Sequence, residues 1–351
     1  MVFGLTNTLQ RYEKKSYLCK KIVNFCEIMD NTHLLEKIQH IIQTEIVSKQ
    51  PNLLYDPIVY SLSQGGKRIR PLLTLMGCKM FDGYVEKALY PAVGVEVFHN
   101  FTLLHDDIMD KAPVRRGQPT VYKKWNETTA ILSGDAMFAL AYGFMVRTDA
   151  NLVQRVIQTF NRMAIGVCEG QQYDINFETQ DHVTIPEYIE MIRLKTSVLL
   201  GGALEIGGII GGANDSDLKH LCAFGENIGL AFQLKDDWLD VYSDVEKFGK
   251  VHGGDIAVNK KTFLYLKALE LANTEQSKQL KHYFSSTNFD TKEKFDAVLS
   301  IYNELNIGEH TKSEMQKYQS IAMNALSQIS VSEQTKEPLR QLAESLLKRQ
   351  N

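Results

Sequence analysis

Two runs of aspartate carry the most conspicuous chemistry in this sequence: Asp106, Asp107 and Asp110 form the first, Asp236, Asp237 and Asp240 the second. Both follow an Asp-Asp-x-x-Asp spacing. On a helix, residues four apart share a face and lie about 6 Å apart along the axis, so Asp106 aligns with Asp110 and Asp236 with Asp240. Like charges so placed repel, and burying them among apolar neighbours costs on the order of a few kcal/mol unless a cation compensates. Magnesium suits the task, because it prefers oxygen ligands and bridges one or two carboxylates to substrate phosphates. A solvated acidic turn is the plainer reading of either run taken alone. It fits poorly here because both runs end strongly apolar stretches.

A diphosphate ligand also needs cations. Gly65-Gly66-Lys67-Arg68-Ile69-Arg70-Pro71 offers flexible glycines followed by a lysine and an arginine one helical turn apart. Lysine is a point charge and arginine a bidentate fork. Arg115-Arg116-Gly117 follows the first aspartate run, with Pro113 closing the helix between them. His99 and Thr102 share a stripe with Asp106 and Asp110, where a histidine can donate to a diphosphate oxygen; by itself it reads equally as a satisfied core residue. Lys195-Thr196, Gly249-Lys250 and Lys260 carry no signal individually.

Helices must position these groups. Prolines number only eight, and hairpin signals are nearly absent. Apolar residues recur at three-to-four spacing, as in Leu34, Ile38, Ile41, Ile42 and Ile46, then in Leu72, Leu73, Leu75, Met76 and Cys78. Segments 88–109, 130–147 and 196–212 are apolar on nearly every face, which places them inside a large bundle. The expected class is all-α: one domain over 31–351, a helical bundle around a central apolar cavity, with residues 1–30 a peripheral extension. The charged stretch after about residue 270 reads as surface helices with few functional signals.

A formal charge of −3 with no basic tract argues against nucleic acid. The five cysteines are scattered and odd in number, which points to reduced thiols and a cytoplasmic setting. No run reaches the roughly 18 consecutive apolar residues of a membrane span. Neither a Ser-His-Asp nor a Cys-His arrangement is evident.

Taken together and in order, the motifs resemble those of the trans-isoprenyl diphosphate synthases of the polyprenyl synthetase family. They are Gly-Gly-Lys-x-x-Arg-Pro at 65–71, His99 through Asp110, and Arg-Arg-Gly-x-Pro-Thr at 115–120. Gly134-Asp135, Gly170-Gln171-x-x-Asp174 and Lys195-Thr196 follow, then Gln233 through Asp240 and Gly249-Lys250-x-x-Gly253-x-Asp255. The resemblance spans about 50 to 265. It implies the isoprenoid synthase fold, a homodimer, and magnesium-dependent head-to-tail (1′-4) condensation of isopentenyl diphosphate with dimethylallyl, geranyl or farnesyl diphosphate. Carried over by motif, Asp106 and Asp110 hold two magnesium ions and Asp236 a third, with Asp107, Asp237 and Asp240 in support. Arg115, Lys195, Thr196, Gln233, Lys250 and Lys260 contact the allylic substrate; Lys67, Arg70, His99 and Arg116 bind isopentenyl diphosphate. The family's proline after the Lys-x-Thr run near 260 is missing from Lys260-Lys261-Thr262-Phe263-Leu264, so either lysine can be the one in the site.

Phe101 lies five residues before Asp106, about 7.5 Å deeper by helical rise, and Thr102 is small. In the family, bulk at these positions shortens the product. One phenylalanine beside an uninterrupted Asp-Asp-x-x-Asp resembles the C20 (geranylgeranyl) type, with C15 as the alternative; plain core packing is the competing role for Phe101. Longer-chain synthases, cyclases using the same ionisation, and a non-catalytic partner subunit are the rivals. Two intact aspartate runs together with Lys67 and Arg70 argue against the last two.

Overall fold

A computed structural model describes residues 32–81, 83–243, 253–286 and 288–348. The expected extension 1–30 and the candidate Lys250 lie outside these residues. The helices run α1 (Thr32–Glu45), α2 (Asn52–Ser63), α3 (Ile69–Lys79), a 3-10 turn at Val85–Ala88, and α4 (Leu89–Met109). Two-residue strands β1 (Val114–Arg115) and β2 (Gln118–Pro119) precede α5 (Val121–Lys124), α6 (Glu127–Met145), α7 (Val153–Thr179) and α8 (Ile185–Ile192). One turn of π-helix at Arg193–Ser197 leads into α9 (Val198–Gly211) and α10 (Asp215–Tyr242). The chain ends with α11 (Gly254–Ala257), α12 (Phe263–Leu271), α13 (Thr274–Tyr283), α14 (Thr291–Glu304), α15 (Ile307–Ser327) and α16 (Glu333–Lys348). The all-α expectation holds.

These elements pack as two compact units, divided within α7 after Ile157. In the first, α4 lies against α1, α3 and α6. Ala92, Val93, Val95, Val97 and Phe98 are fully buried, as expected of a helix apolar on every face. The first aspartate run ends this helix. Asp110 is the C-cap, Lys111 takes a left-handed backbone, and the Lys111 and Ala112 amides donate to the carbonyls of Ile108 and Asp107. That is a Schellman closure, and Pro113 prevents the helix from resuming.

In the second unit α10 is the central helix, capped by Asn214 and packed against α9, the π-turn and α15. The second aspartate run occupies its last turns. The run Ile185–Gly211 is long and apolar enough to cross a membrane by composition, yet 78% of its most apolar stretch is buried among the protein's own helices. Burial of that kind is expected of a core helix.

Not every apolar segment is covered. Ile131 and Leu132 on α6 and Val146 at its C-cap are exposed, as are Ile165 and Ile175 on α7.

The π-turn depends on a close approach from α7. A Cβ on Gly170 would sit 2.1 Å from the Lys195 backbone nitrogen, and one on Gly229 would sit 2.7 Å from the Ser197 Cα. Backbone cannot yield as a flexible side chain can. Gly170→Ala is therefore expected to cost about 1–3 kcal/mol of stability, read as a lowered urea midpoint at unchanged m-value.

Candidate active site

The first aspartate run is built around Arg115. Its Nε donates to Asp107 Oδ1 at 2.8 Å and its Nη2 to Asp106 Oδ2 at 3.2 Å. Asp107 is 5% exposed, and burial pushes its carboxyl up to about 6 even though Arg115 pulls the other way. Arg115 reaches back because β1 and β2 form a tight hairpin whose central residues, Arg116 (φ 54) and Gly117 (φ 77), both have positive φ. This is the type I′ geometry, which glycine accepts readily and arginine does not. Thr120 closes the base by donating to the Ala112 carbonyl at 2.8 Å.

Arg116 points elsewhere. Its guanidinium donates to the Gly65 carbonyl and occupies the space where a Cβ on Gly66 would lie, 3.0 Å from Nη1. Gly66 has φ 141, so both space and backbone demand glycine there. Arg70 Nη1 lies 3.0 Å from His99 Nε2. Burial, with Arg70, Arg116 and Arg115 nearby, holds His99 well below the usual imidazole range. A neutral ring accepting from Arg70 at Nε2 keeps its proton on Nδ1, available to a ligand oxygen. The structure thus brings Arg70, His99, Arg116 and the Gly65-Gly66 loop together, with half-buried Lys67 between them in sequence.

Arg68 was not singled out in the sequence and proves structural. It adopts a left-handed backbone (φ 49), pairs with buried Glu96 and donates to the Leu62 carbonyl at 2.6 Å. Glu96 also accepts from Asn100 at 2.9 Å. The Arg68–Glu96 pair fastens the glycine loop to α4.

In the second unit, Asp237 is 4% exposed and accepts from the Tyr188 hydroxyl and, at 3.2 Å, from Gln233 Nε2. Burial raises its carboxyl, opposed by Tyr188, Lys260 and Gln233. Gln233 in turn accepts from Thr196 at 3.4 Å, and Lys195 Nζ lies 2.6 Å from Asp174 Oδ2. Lys195 and Thr196 sit in the π-turn, an irregularity common at functional sites. Asp240 Oδ2 accepts the Asp255 amide at 3.0 Å. Lys261 Nζ donates to the Phe177 and Gln180 carbonyls at 2.6 and 2.7 Å, at the C-terminal end of α7. Lys260 instead lowers the pKa of both Asp237 and Asp255. Lys261 is thus engaged by the end of α7, and Lys260 is the lysine whose charge is felt at the second aspartate run.

Among the described residues no three His, Cys, Asp or Glu side chains gather as a closed metal cage. Magnesium needs none: one or two carboxylates, water and substrate phosphates suffice. Asp106 and Asp110 at the end of one helix, and Asp236 near the end of another, are hard oxygen donors of that kind. The donor set fits.

Comparison with known proteins agrees with this geometry. The polyprenyl synthetase family model matches residues 51–302, across both units. The chain belongs to the polyprenyl synthetase family. It is 34% identical to the geranylgeranyl diphosphate synthase of Sulfolobus acidocaldarius, over 90% of this chain and 96% of that one. A crystal structure of a geranylgeranyl pyrophosphate synthase matches at 42% identity and TM-score 0.86, covering 91% of this chain and 98% of its own. The enzyme from Pyrococcus horikoshii Ot3 matches at 32% and TM-score 0.86, over 94% and 99%. The chain is accordingly a prenyltransferase with the isoprenoid synthase helical fold.

The Phe101 neighbourhood is richer than the local sequence indicates. Phe138 of α6 packs against Phe101 in a tilted arrangement at 5.1 Å between centroids, Phe98 lies at 5.6 Å and His105 at 4.8 Å. Tyr142 extends the group, 5.3 Å from Phe138. Only the fold joins α6 to α4, so spacing within α4 could not reveal Phe138.

Glu96→Ala strands the Arg68 guanidinium in a buried setting. We expect a loss of about 3–5 kcal/mol in chemical denaturation; a loss below about 1 kcal/mol would show that water replaces the carboxylate.

Proposed function

We propose that the chain condenses isopentenyl diphosphate head-to-tail with allylic diphosphates and releases an all-trans C20 diphosphate. The observation that carries this reading is the division of the Arg115-Arg116 pair. Arg115 turns to the aspartates, and Arg116 turns to Arg70, His99 and the glycine loop. Two neighbouring cationic sets suit two diphosphates, whereas a cyclase handles one.

In this reading Asp106 and Asp110 hold two magnesium ions and Asp236 a third, with Asp107, Asp237 and Asp240 in support. Bound magnesium supplies charge that stabilises the departing diphosphate. Arg115, Lys195, Thr196, Gln233, Lys250 and Lys260 grip the allylic diphosphate, and Lys67, Arg70, His99 and Arg116 grip isopentenyl diphosphate. Negative charge grows on the allylic leaving group as the C1–O bond breaks, so cations there act more strongly in the transition state than before it. C4 of isopentenyl diphosphate then bonds to the allylic C1. The resulting cation loses a neighbouring proton to the departing diphosphate and becomes the next allylic substrate. No protein nucleophile is required.

Support for a C20 product comes from Phe101, backed by Phe138, Phe98 and His105 as a floor below the aspartates. Exposed Ile131 and Leu132 on α6 and Val146 at its C-cap, with Ile165, Cys168 and Ile175 on α7, support a homodimer. We place the enzyme in the cytoplasm, with 31–351 as the catalytic region. A partner-subunit role is disfavoured because the supports of Asp107, Asp237 and Asp240 are all intact.

Purified protein with magnesium, isopentenyl diphosphate and separate C5, C10 and C15 primers tests the reaction. Turnover ending at C20 is expected, lost on chelation, and lowered about 10²-fold or more by Asp106→Ala or Asp236→Ala. Absence of turnover with every primer would favour the partner subunit. Phe101→Ala should lengthen the product, and adding Phe138→Ala should lengthen it further. An unchanged distribution in both removes this floor. Ile165→Asp should shift a dimer towards monomer in light scattering, because a buried carboxylate there has no partner.

A further inference from the structure

Lys294 lies in the charged C-terminal third, where no motif was found, yet it is only 1% exposed. Burying an ammonium is costly, and a methionine of similar volume would fill the same space without that cost. Among the described residues Lys294 has three acceptors, all neutral: the Ala257 carbonyl at 3.4 Å, the Ser286 carbonyl at 3.3 Å and the Asn259 side-chain oxygen. The Phe284 ring lies 5.5 Å away. Two of the three acceptors belong to the end of α11.

That end is a Schellman closure. The Lys260 amide donates to the Asp255 carbonyl at 2.8 Å, and the Asn259 amide donates to that of Ile256 at 3.2 Å. Asn259 takes the left-handed position, φ 61, which asparagine tolerates better than most residues. Lys260 is the next residue, so the direction it leaves the turn is set by the conformation of Asn259. Lys294 binds the Asn259 side chain and one of the last-turn carbonyls that the helix leaves unsatisfied.

The other end of the segment is held as well. The Gly253 amide donates to the Asp240 carbonyl at 2.9 Å and the Asp255 amide to the Asp240 carboxylate at 3.0 Å. Phe295, the neighbour of Lys294 on α14, fills the space where a Cβ on Gly253 would lie. Residues 253–260 are thus pinned by Asp240 at one end and by α14 at the other.

We propose that Lys294 is a positioning residue for Lys260: it fixes the turn at 257–259 so that the Lys260 ammonium stays beside the second aspartate run. The inference rests on the reading of Lys260 as an allylic-diphosphate ligand. Lys294 acts through the turn and touches no substrate.

Steady-state kinetics of full-length Lys294→Met, Asn259→Gly, Lys260→Ala and the Lys294→Met/Lys260→Ala double variant test it, with melting curves recorded alongside. Asn259→Gly keeps the left-handed backbone at no steric cost and removes only the acceptor, so it carries the test if Lys294→Met does not fold. Each single variant should raise KM for the allylic primer about tenfold, the scale of one charged hydrogen bond. KM for isopentenyl diphosphate should not change. The double variant should be no worse than Lys260→Ala, because Lys294 has nothing left to position. Wild-type allylic KM in Asn259→Gly and in folded Lys294→Met overturns the proposal. So do losses that multiply in the double variant, or an equal rise in both KM values. A wild-type chain inert towards every primer overturns the reaction itself, an outcome distinct from an active enzyme in which Lys294 is silent.

Discussion

Concentrated negative charge at the ends of two largely apolar helices is the constraint on which most of the described structure depends. Carboxylates at helical spacing repel, and the helices carrying them cannot let water flood both faces without losing their cores. The chain answers locally. Arg115 is folded back onto Asp106 and Asp107 by a hairpin with two positive-φ residues. In the second unit Tyr188 and Gln233 donate to Asp237, and the Asp255 amide donates to Asp240. Arg115 neutralises part of the charge, and all of these donors fix carboxylate orientation. The remaining demand for positive charge is what a cation and an anionic ligand bound together would meet.

Cations face the reverse problem, since arginines gathered in one place repel one another unless an anion joins them. Arg70 shows the effect: burial and the neighbouring Arg116 bring its guanidinium down to about 10, still fully charged at neutral pH. Neutral His99 fits between them because a second proton on the ring would add to the repulsion. The Arg68–Glu96 pair keeps one further arginine out of the competition by giving it a carboxylate of its own. A site rich in charge therefore needs a surrounding set of charges whose only task is to hold the others.

Much of this was legible in the sequence. The apolar periodicity of α1, α3, α4 and α9 reappears as helices, the aspartate runs lie in the last turns of α4 and α10, and α4 closes before Pro113 as expected. What was not legible arises from contacts between distant segments. Phe138 joins the Phe101 group only because α6 lies along α4. The hairpin at 114–119 has an arginine where asparagine or glycine would announce the turn. The π-turn carries no sequence mark of its own; its trace is Gly170, some twenty-five residues earlier, whose missing side chain admits the Lys195 backbone. Lys294 looked like one more surface charge, because a sequence gives composition along a helix but not what packs over it.

The doubled residues bring these themes together. Asp106-Asp107, Asp236-Asp237, Arg115-Arg116 and Lys260-Lys261 each place two like charges side by side, which local propensity would not favour. The aspartate doublets lie on helices, where successive residues point about 100° apart, while Arg116 opens the turn after β1 and Lys260-Lys261 lie between helices; in each case neighbours leave the backbone in different directions. A doublet therefore divides its tasks by geometry alone. Asp107 and Asp237 are the buried members of their pairs and are taken up by protein donors. Lys261 spends its ammonium on the end of α7, while Lys260 is felt at the aspartates. Arg115 and Arg116 serve different groups of residues altogether. In the aspartate doublets the buried member is held by protein donors and its neighbour is the more exposed, so one spacing serves both burial and exposure at the same helix end.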